Sequence, residues 1–368
     1  MPLVTFVPVR EMTDVSIAAT ASILPATVVS NRDIGEKLIA GRTLHIEDES
    51  AAELVEQTRT RADLIEKKTG LRARRFFRPE QTPLDVGMDL LDRLMEGRPW
   101  NGLQAVIVSS SSSHGFPGVS QQIVAKARKG HADFGHPFVL DIGSNACTGF
   151  MYALTVGTSL IKGMGFDRVA CLAVEFSSRC IAYDPLAFGT STLFGDAAAG
   201  VLLTKGSSGV ASLDAVRASS MIDESTIGLI KGSGMEAAQP ALDVPAAGRW
   251  FMAGPPVAIG ATKILVDEIK RYQLQGSKID WLIPHQANLT RILIPACKTV
   301  EIDPSRLCAS FAETGNTSSA SIPLLLDDLV RGGRAKTGET ALLVGFGASF
   351  AVGSALLTLR DLPAGPRP

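Results

Sequence analysis

The apolar segments of the chain occur in the same order in its two halves. In the first half they are AVIVSSS from Ala105, an apolar strand leading into GSNACTGFMYAL, VACLAVEF from Val169, and LFGDAAAGVLLT from Leu193. In the second half they are WLIPHQAN from Trp281, ASFAETGNTSSASIPLLL from Ala309, ALLVGFG from Ala341, and FAVGSALLTL from Phe350. Continuous apolar strands that alternate with helices are typical of a sheet covered on both faces. The pattern predicts an α/β fold of two related halves, residues 1–205 and 206–368.

The length and charge of the chain limit its fold and its partners. With 368 residues, of which 45% are hydrophobic, the chain can bury a large core. Its length corresponds to roughly two to three ordinary domain units. Its 36 basic and 37 acidic residues give a formal net charge of -1. This balance removes the electrostatic reason to expect nucleic acid or an anionic membrane as the main partner.

Neither the N-terminus nor the cysteine pattern indicates export. The segment MPLVTFVPVREMTD lacks the long apolar region of a signal peptide, and no later stretch has the roughly 18 uninterrupted apolar residues of a membrane span. The five cysteines are scattered and include no CxxC pair, which argues against a disulfide framework and against a zinc site. We therefore expect a cytoplasmic protein with reduced thiols and no metal.

Cys147 lies where a strand, a turn of small residues and a helix follow one another, in FVLDIGSNACTGFMYAL. A thiol near a helix N-terminus meets a partial positive charge and free N–H groups, which favour the thiolate. The pattern predicts a nucleophile, although a small buried cysteine that fills core space would fit it as well. The other four cysteines lack this setting and are expected to be structural.

His285 and Asn316 are the two further candidates for chemistry. His285 stands in WLIPHQAN, where an apolar strand ends at a proline and a polar turn opens into a helix. Strand ends that face a crevice are where α/β proteins place reactive groups. Asn316 stands in GNTSSASIP, a turn before an apolar helix, where an asparagine could also serve only as a turn residue or helix cap. All three candidates are predicted at strand-to-helix junctions, so the duplication would bring them to one crevice.

Together these segments resemble β-ketoacyl-acyl-carrier-protein synthase III, a branch of the thiolase superfamily. The resemblance extends from about Ile17 to Leu359 and includes NACTGFMYAL, PHQANL, GNTSSASIPLLL and LLVGFGASFAVGSAL. It implies a five-layered αβαβα thiolase fold of two duplicated halves, assembled as a homodimer with the active site under a narrow tunnel. The N-terminal half would carry Cys147, and the C-terminal half would carry His285 and Asn316.

The resemblance also implies a role for each candidate. Cys147 would accept an acyl group from a primer thioester, in an oxyanion hole formed by the backbone N–H groups of Cys147 and Ala348. His285 and Asn316 would donate hydrogen bonds to the carbonyl of a malonyl thioester, and loss of carbon dioxide would leave an enolate that attacks the acyl group. A thiolate is both a good nucleophile and a good leaving group, and two preorganised donors stabilise the developing oxyanion by roughly 3 kcal/mol each. No metal or resident cofactor is expected, because coenzyme A and acyl carrier protein enter only as thioester substrates.

Four further residues are implied as substrate-binding. Phe116, in SHGFPG, would reach across the dimer interface and shape the partner's acyl pocket. Arg179 matches one of the two side chains that hold the adenine of coenzyme A in the family. Leu64 stands in place of the other, a tryptophan. Arg291 follows one residue after the position where the family has an arginine. These departures favour a carrier protein or a specialised thioester over coenzyme A as the acyl donor.

Two glycine positions of the family are also changed. GDAAAG places Ala197 in a signature that is normally richer in glycine, and Ala348 stands in the segment that is FGGG in the family. If residue 348 needs a backbone angle that is easy only for glycine, the oxyanion hole is reshaped.

The expected function is a condensing enzyme of fatty-acid or secondary-metabolite (polyketide-like) biosynthesis, which forms a 3-oxoacyl thioester. One alternative is an enzyme that joins 3-oxoacyl or aryl-primed units, of the resorcinol or quinolone type. Another is an acyltransferase that does not decarboxylate, against which the presence of Asn316 argues. A third, from a different class, is a catalytically silent subunit that controls chain length. The presence of Cys147, His285 and Asn316 together argues against a silent subunit.

Overall fold

The computed structural model describes residues 10–11, 14–43, 50–112, 115–221, 230–231, 250–252, 254–347 and 350–363. The strands within these residues are β1 (Arg10–Glu11), β2 (Val15–Ile23), β3 (Thr27–Ser30), β4 (Ala73–Phe76), β5 (Ala105–Ser109), β6 (Phe138–Ile142), β7 (Arg168–Glu175), β8 (Ala197–Lys205), β9 (Ala211–Ser220), β10 (Ile230–Lys231), β11 (Phe251–Met252), β12 (Trp281–Pro284), β13 (Thr340–Phe346) and β14 (Ala351–Leu359). The α-helices are α1 (Asn31–Thr43), α2 (Ser50–Asp63), α3 (Ile65–Thr69), α4 (Pro83–Met95), α5 (Val119–Gly130), α6 (Gly149–Met164), α7 (Phe188–Ser191), α8 (Gly254–Leu274), α9 (Ile294–Thr299), α10 (Phe311–Thr314) and α11 (Ser321–Arg331).

The strand pairing repeats between the two halves of the chain. In the first half, β2 pairs antiparallel with β8, β8 antiparallel with β7, and β7 parallel with β5. In the second half, β9 pairs antiparallel with β14, β14 antiparallel with β13, and β13 parallel with β12. A short contact between β2 and β9 joins the two sets of strands, and the predicted division after residue 205 falls at the end of β8. The predicted α/β fold is confirmed.

The helices and strands form five layers. Helices α4 and α5 pack on one face of the first set of strands, and α8 and α9 pack on one face of the second set. Between the two sets lie α6 and α11, whose apolar side chains share one core with strands of both. The order is therefore helix, sheet, helix, sheet, helix, as the αβαβα prediction required. None of the helices in the described part of the chain is long and apolar enough to span a membrane.

The sequences of the helices match the layers in which they lie. Helix α4 begins with Pro83 after Thr82, whose hydroxyl accepts from the Asp85 N–H at 3.1 Å, and it buries one apolar face against the sheet. Helix α6 is apolar around most of its circumference, which suits a helix enclosed between two sheets. Its N-terminal end therefore lies in the middle of the molecule, next to Cys147.

One predicted strand is absent. The segment ASFAETG, predicted as the counterpart of the strand before Cys147, forms the short helix α10 rather than a strand. The Gln286 side chain accepts from the N–H groups of Ser310 and Phe311, each at 3.1 Å, and so takes up donors that a strand would have paired with a neighbour. The prediction that Asn316 follows a strand was therefore wrong, because Asn316 follows α10.

Candidate active site

A cavity of about 640 Å³ lies between the two halves of the fold. Cys147, His285 and Asn316 all line it, although they come from distant parts of the sequence. Its wall is otherwise largely apolar, with Phe346 and Phe350 at one side and Trp250 at another. A pocket of this size with a few converging polar groups is the usual form of a small-molecule site.

Cys147 lies in a turn of 3₁₀-helix, Ala146–Thr148, that leads directly into α6. The turn begins at Ala146 with φ of 46°, in the left-handed region, and the Thr148 hydroxyl donates to the Ala351 carbonyl at 3.1 Å. The end of β13 passes so close that a Cβ on Gly347 would lie 2.4 Å from Thr148 Oγ1. Backbone from both halves therefore fixes the position of the thiol.

The resting form of Cys147 differs from the prediction. Burial raises the pKa of the thiol to about 12, with a further increase from the Glu175 charge. Hydrogen bonds from the Ser318 and Asn316 side chains lower the pKa but do not outweigh burial. Burial thus outweighs the effect of the helix N-terminus, and Cys147 in the unliganded chain is a thiol rather than the thiolate that its position before a helix would favour.

His285 is held immediately after β12, where its N–H donates to the Val344 carbonyl at 2.9 Å. Its ring is buried and meets the Phe346 ring edge to face, with 5.2 Å between the centroids. Burial lowers the pKa of the imidazole to about 3. A hydrogen bond to the Ser318 backbone raises this pKa, but by less than burial lowers it. Its Nδ1 has no hydrogen-bond partner among the described residues. The imidazole is therefore neutral, and its one N–H, which donates to the Ser318 backbone in the unliganded chain, is the group that can donate to a bound substrate.

Asn316 is fixed through both its backbone and its side chain. Its N–H donates to the Leu193 carbonyl and its carbonyl accepts from the Gly195 N–H, both at 3.0 Å. The side-chain Oδ1 accepts from the Ser318 N–H at 2.8 Å. Because the oxygen is occupied by this bond, the carboxamide NH₂ is the part left to donate. Asn316 thus stabilises a local turn and also offers a donor to the cavity.

Three cations line the rim of the cavity: Arg61, Lys68 and Arg291. Arg291 lies in a single turn of π-helix, Leu289–Leu293, which begins after the cap residue Asn288. Thr290, in the place where the family has an arginine, donates from its hydroxyl to the Lys68 carbonyl at 2.8 Å. The π-turn places Arg291 at the rim, so the structure brings this predicted residue to the same cavity as the three catalytic candidates.

The other predicted substrate-binding residues lie elsewhere. Arg179 does not line the cavity, because its guanidinium donates to the backbone carbonyls of residues 78, 79 and 81. Leu64 precedes α3 and is half-buried, also outside the lining, and Phe116 is fully exposed on the single chain. Ala348 lies outside the described residues, so the second donor of the oxyanion hole stays a prediction. The substrate-binding roles of Arg179, Leu64 and Phe116 stay predictions as well.

The site also contains polar groups that were not predicted from the sequence. Ser111 and Ser318 line the cavity, and behind them lies Glu175, the last residue of β7. A signal for Glu175 was available, because it is the one charged residue in the apolar run VACLAVEF. Within the described residues there is no cluster of His, Cys, Asp or Glu side chains suited to hold a metal ion.

Comparison with known proteins identifies relatives for almost the whole chain. Residues 140–220 match the family model of 3-oxoacyl-(acyl-carrier-protein) synthase III, and residues 269–359 match the family model of its C-terminal part. Beta-ketoacyl-(acyl-carrier-protein) synthase III 1 of Vibrio parahaemolyticus is 32% identical over 355 residues, which cover 93% of this chain and 98% of that protein.

Solved structures give the same result. The crystal structure of 3-oxoacyl-(acyl carrier protein) synthase III, FabH, from Pseudomonas aeruginosa PAO1 has a TM-score of 0.75 and 26% identity, and the match covers 95% of this chain and 100% of that one. The priming β-ketosynthase from the R1128 polyketide biosynthetic pathway has a TM-score of 0.76 and 26% identity, over 97% and 99% of the two chains.

Proposed function

Because this chain belongs to the 3-oxoacyl-(acyl-carrier-protein) synthase III family of acyltransferase-type condensing enzymes, we propose that it joins an acyl primer to a malonyl thioester with loss of carbon dioxide. The product is a 3-oxoacyl thioester. The observation that carries this proposal is that a thiol, a neutral imidazole and a carboxamide, those of Cys147, His285 and Asn316, line one cavity. These are a nucleophile and two hydrogen-bond donors that need no charge of their own.

In the first step, the Cys147 sulfur attacks the carbonyl carbon of the primer thioester. The bond from that carbon to the donor's sulfur breaks, and the departing thiolate takes up the proton that Cys147 loses. The tetrahedral oxyanion is held by the backbone N–H of Cys147 and by the predicted donor at Ala348. Since Cys147 rests as a thiol, loss of its proton contributes to the barrier of this step.

In the second step, the malonyl thioester carbonyl lies against His285 and Asn316. The carboxylate leaves as carbon dioxide, and its electron pair forms an enolate whose oxygen accepts hydrogen bonds from the two side chains. The enolate carbon then attacks the acyl carbonyl on Cys147 and expels the sulfur, which takes up one proton to restore the thiol. A buried, neutral imidazole and an oriented carboxamide stabilise this oxyanion without reorganisation during the reaction.

The cations Arg61, Lys68 and Arg291 support a substrate whose anionic part stays at the rim while its thioester reaches Cys147. We therefore propose acyl-coenzyme A or acyl carrier protein as the primer donor and malonyl carrier protein or malonyl-coenzyme A as the extender, in fatty-acid or polyketide-like biosynthesis. No resident cofactor takes part in the proposed reaction. A homodimer completes the proposal, in which Phe116 of each chain shapes the pocket of the other.

The test of the first step is the acyl-enzyme itself. A panel of acyl thioesters is incubated with the protein, and the increase in intact mass is read for the wild type and for Cys147→Ser. We expect one acyl group on the wild type and no labile thioester on the variant. No adduct with any donor would contradict the proposal and favour the silent-subunit alternative.

The test of the second step is Asn316→Ala. This variant is expected to keep acylation of Cys147 within about threefold while it loses at least 100-fold in release of carbon dioxide from malonyl thioester, because only the enolate needs the carboxamide donor. Equal loss of both steps would mean that Asn316 only holds its turn. Acylation of the wild type without any release of carbon dioxide would favour a non-decarboxylating acyltransferase.

A further inference from the structure

Glu175 is a fully buried carboxylate that the proposed reaction does not use. It ends β7, a strand whose other buried residues are apolar. Four donors face its two oxygens: the Ser111 N–H at 3.2 Å, the Ser112 hydroxyl at 3.1 Å, the Ser319 N–H at 3.3 Å and the Ser319 hydroxyl at 2.5 Å. No salt bridge reaches Glu175 within the described part of the chain. Burial of a carboxylate costs free energy even where hydrogen bonds compensate it in part, which suggests that Glu175 has a function.

The four donors come from both halves of the fold. Ser111 and Ser112 follow β5 in the first half, and Ser319 lies in the turn before α11 in the second half. The Ser109 hydroxyl also donates to the Ser319 hydroxyl, at 2.9 Å. Glu175 therefore ties the loop after β5 to the turn that contains Asn316, across the cavity end where the two halves meet.

The turn that Glu175 holds is strained and carries reactive groups. Ser318 has φ of 49°, a left-handed conformation that is unfavourable for a non-glycine residue and persists only where its surroundings enforce it. The Ser318 N–H holds the Asn316 carboxamide, and both side chains hydrogen-bond to the Cys147 thiol. The hydrogen bonds that Glu175 accepts from Ser319 restrain the residue that follows Ser318 in this turn.

Glu175 also acts on Cys147 through its charge. Its charge raises the pKa of the thiol, but by less than burial raises it and by less than the hydrogen bond from the Ser318 side chain lowers it. The other titratable groups around the thiol are His285, which is neutral, and the rim cations Arg61, Lys68 and Arg291. Four donors and no acceptor face the carboxylate, which fits its ionised form, although burial raises its own pKa.

We propose that Glu175 is a positioning residue, which holds Asn316 and Ser318 in the geometry needed for condensation through its hydrogen bonds to Ser111, Ser112 and Ser319, and whose negative charge adds to the effect of burial in disfavouring the thiolate of Cys147. The positioning part rests on the proposed function, because it concerns the enolate donor. The effect on the thiol does not, since it concerns only groups in the unliganded chain.

The charge is tested with Glu175→Gln, which keeps the shape of the side chain. The rate of Cys147 alkylation by iodoacetamide at pH 8 is followed by peptide mass spectrometry, together with the midpoint of thermal unfolding. We expect this rate to increase by about twofold or more, because removal of the negative charge lowers the pKa of the thiol and increases the fraction of thiolate at that pH. A folded variant that is alkylated at the wild-type rate or more slowly would overturn the proposed effect of the charge.

The matched control is Asp196→Asn. Asp196 is likewise fully buried and accepts three hydrogen bonds, from the Phe77 N–H and from the N–H and hydroxyl of Ser178, but neither of these partners lines the cavity, whereas Ser111, a partner of Glu175, does. Its replacement is expected to lower the thermal midpoint without changing the alkylation rate at Cys147. An equal acceleration in both variants would show that loosened packing, rather than the charge of Glu175, exposes the thiol.

Positioning is tested with Glu175→Asp, which keeps the charge but shortens the side chain by one methylene group. We expect alkylation of Cys147 within about twofold of wild type, and release of carbon dioxide from malonyl-coenzyme A or malonyl carrier protein reduced at least tenfold. Wild-type release by this variant would overturn the positioning role, and this assay decides the proposal if Glu175→Gln does not fold. If the wild-type protein itself releases no carbon dioxide, the proposed function fails, while the alkylation result for Glu175 still stands.

Discussion

The difference between the expected and observed state of Cys147 follows from the relative size of two effects. A helix N-terminus stabilises an adjacent anion by about 0.3–1 kcal/mol, which corresponds to less than one pKa unit. Complete burial of an ionisable group can shift its pKa by roughly 3–5 units. Burial therefore determines the resting state, and the pKa of the thiol is about 12. The position of Cys147 before a helix was predictable from the sequence, but the depth of its burial depends on β13 and on the Asn316 turn, which are distant in the chain.

His285 gives a prediction about the stability of the protein in acid. Its pKa is about 3 in the folded protein, against the ordinary histidine value of 6.5, so the unfolded chain binds a proton that the folded chain does not bind between these values. The free energy of unfolding should therefore fall by roughly 1 kcal/mol for each pH unit below 6 because of this group. His285→Gln removes this contribution, so we expect its free energy of unfolding, measured by urea titration, to decline less steeply than that of wild type between pH 6.5 and 4.5.

The control for this measurement is His136→Gln, which replaces an exposed histidine. This variant should keep the acid sensitivity of the wild type. Parallel stability curves for His285→Gln and wild type would show that the imidazole is protonated in the folded protein, which would contradict the neutral donor that the mechanism uses.

At the level of the elements, α6 is the most closely packed helix near the site. Gly157 faces β7, and a Cβ there would lie 2.7 Å from the Cys171 Sγ and 3.0 Å from the Leu203 Cδ1. Gly163, on the same helix, has no atom within 4 Å of such a Cβ. The absence of a side chain at residue 157 therefore lets the helix lie against the sheet, whereas residue 163 has no such requirement.

These two glycines make a matched pair of substitutions. Gly157→Ala is expected to lower the free energy of unfolding by about 1–2 kcal/mol, because the cost of overpacking exceeds the gain in helix propensity. Gly163→Ala is expected to raise it by up to about 1 kcal/mol, since only the propensity changes. Both values are measured by chemical denaturation at neutral pH. If Gly157→Ala stabilised the protein as much as Gly163→Ala, α6 would not be packed against β7 as described.

The elements themselves were largely predictable, and the exceptions have a common cause. Continuous apolar runs identified β5, β7, β12 and β13, because strands buried on both faces have few polar positions. The helix α10 and the π-turn Leu289–Leu293 were not predicted. Helix α10 depends on bonds to the Gln286 side chain, and the π-turn includes a bond from the Thr290 hydroxyl to the distant Lys68 carbonyl. No local pattern in the sequence encodes those partners.

At the level of the whole molecule, the edge strand β6 is an apolar strand with one unpaired side. It pairs with β5 on one side and ends the sheet on the other. Its sequence is FVLDI, yet none of its five residues is fully buried, and Phe138 is 42% exposed. An exposed apolar edge strand favours association unless it is covered. A second copy of the chain in the proposed homodimer would cover it, and would also cover Phe116.

The corresponding prediction concerns oligomeric state. Phe138→Lys places a charge on this edge and should convert a dimer to a monomer at micromolar concentration, as measured by size-exclusion chromatography with light scattering. Leu274→Lys, at the exposed C-terminal end of α8, should leave the mass unchanged. If the wild type has the mass of one chain, the proposed homodimer does not form. If Phe138→Lys remains a dimer, the interface lies elsewhere on the chain.

The duplication was the part of the whole architecture that could be predicted from the sequence, because its evidence is the order of segments rather than any single residue. Three of the four repeated strands in each half were matched in this way, but β2 and β9 were not identified as counterparts. The sequence of β2 is VSIAATASI and that of β9 is ASLDAVRASS, which share little beyond small and apolar residues. Their equivalence is evident only from their pairing partners.

The placement of Cys147 in one half and of His285 and Asn316 in the other separates two chemical abilities that can be lost independently. A descendant without the Asn316 carboxamide would still be an acyltransferase that moves acyl groups from one acceptor to another. A descendant without the Cys147 thiol would still decarboxylate the malonyl thioester and release a shorter thioester. In the proposed reaction, each half of the fold therefore contributes the groups for one step, and carbon–carbon bond formation requires both halves.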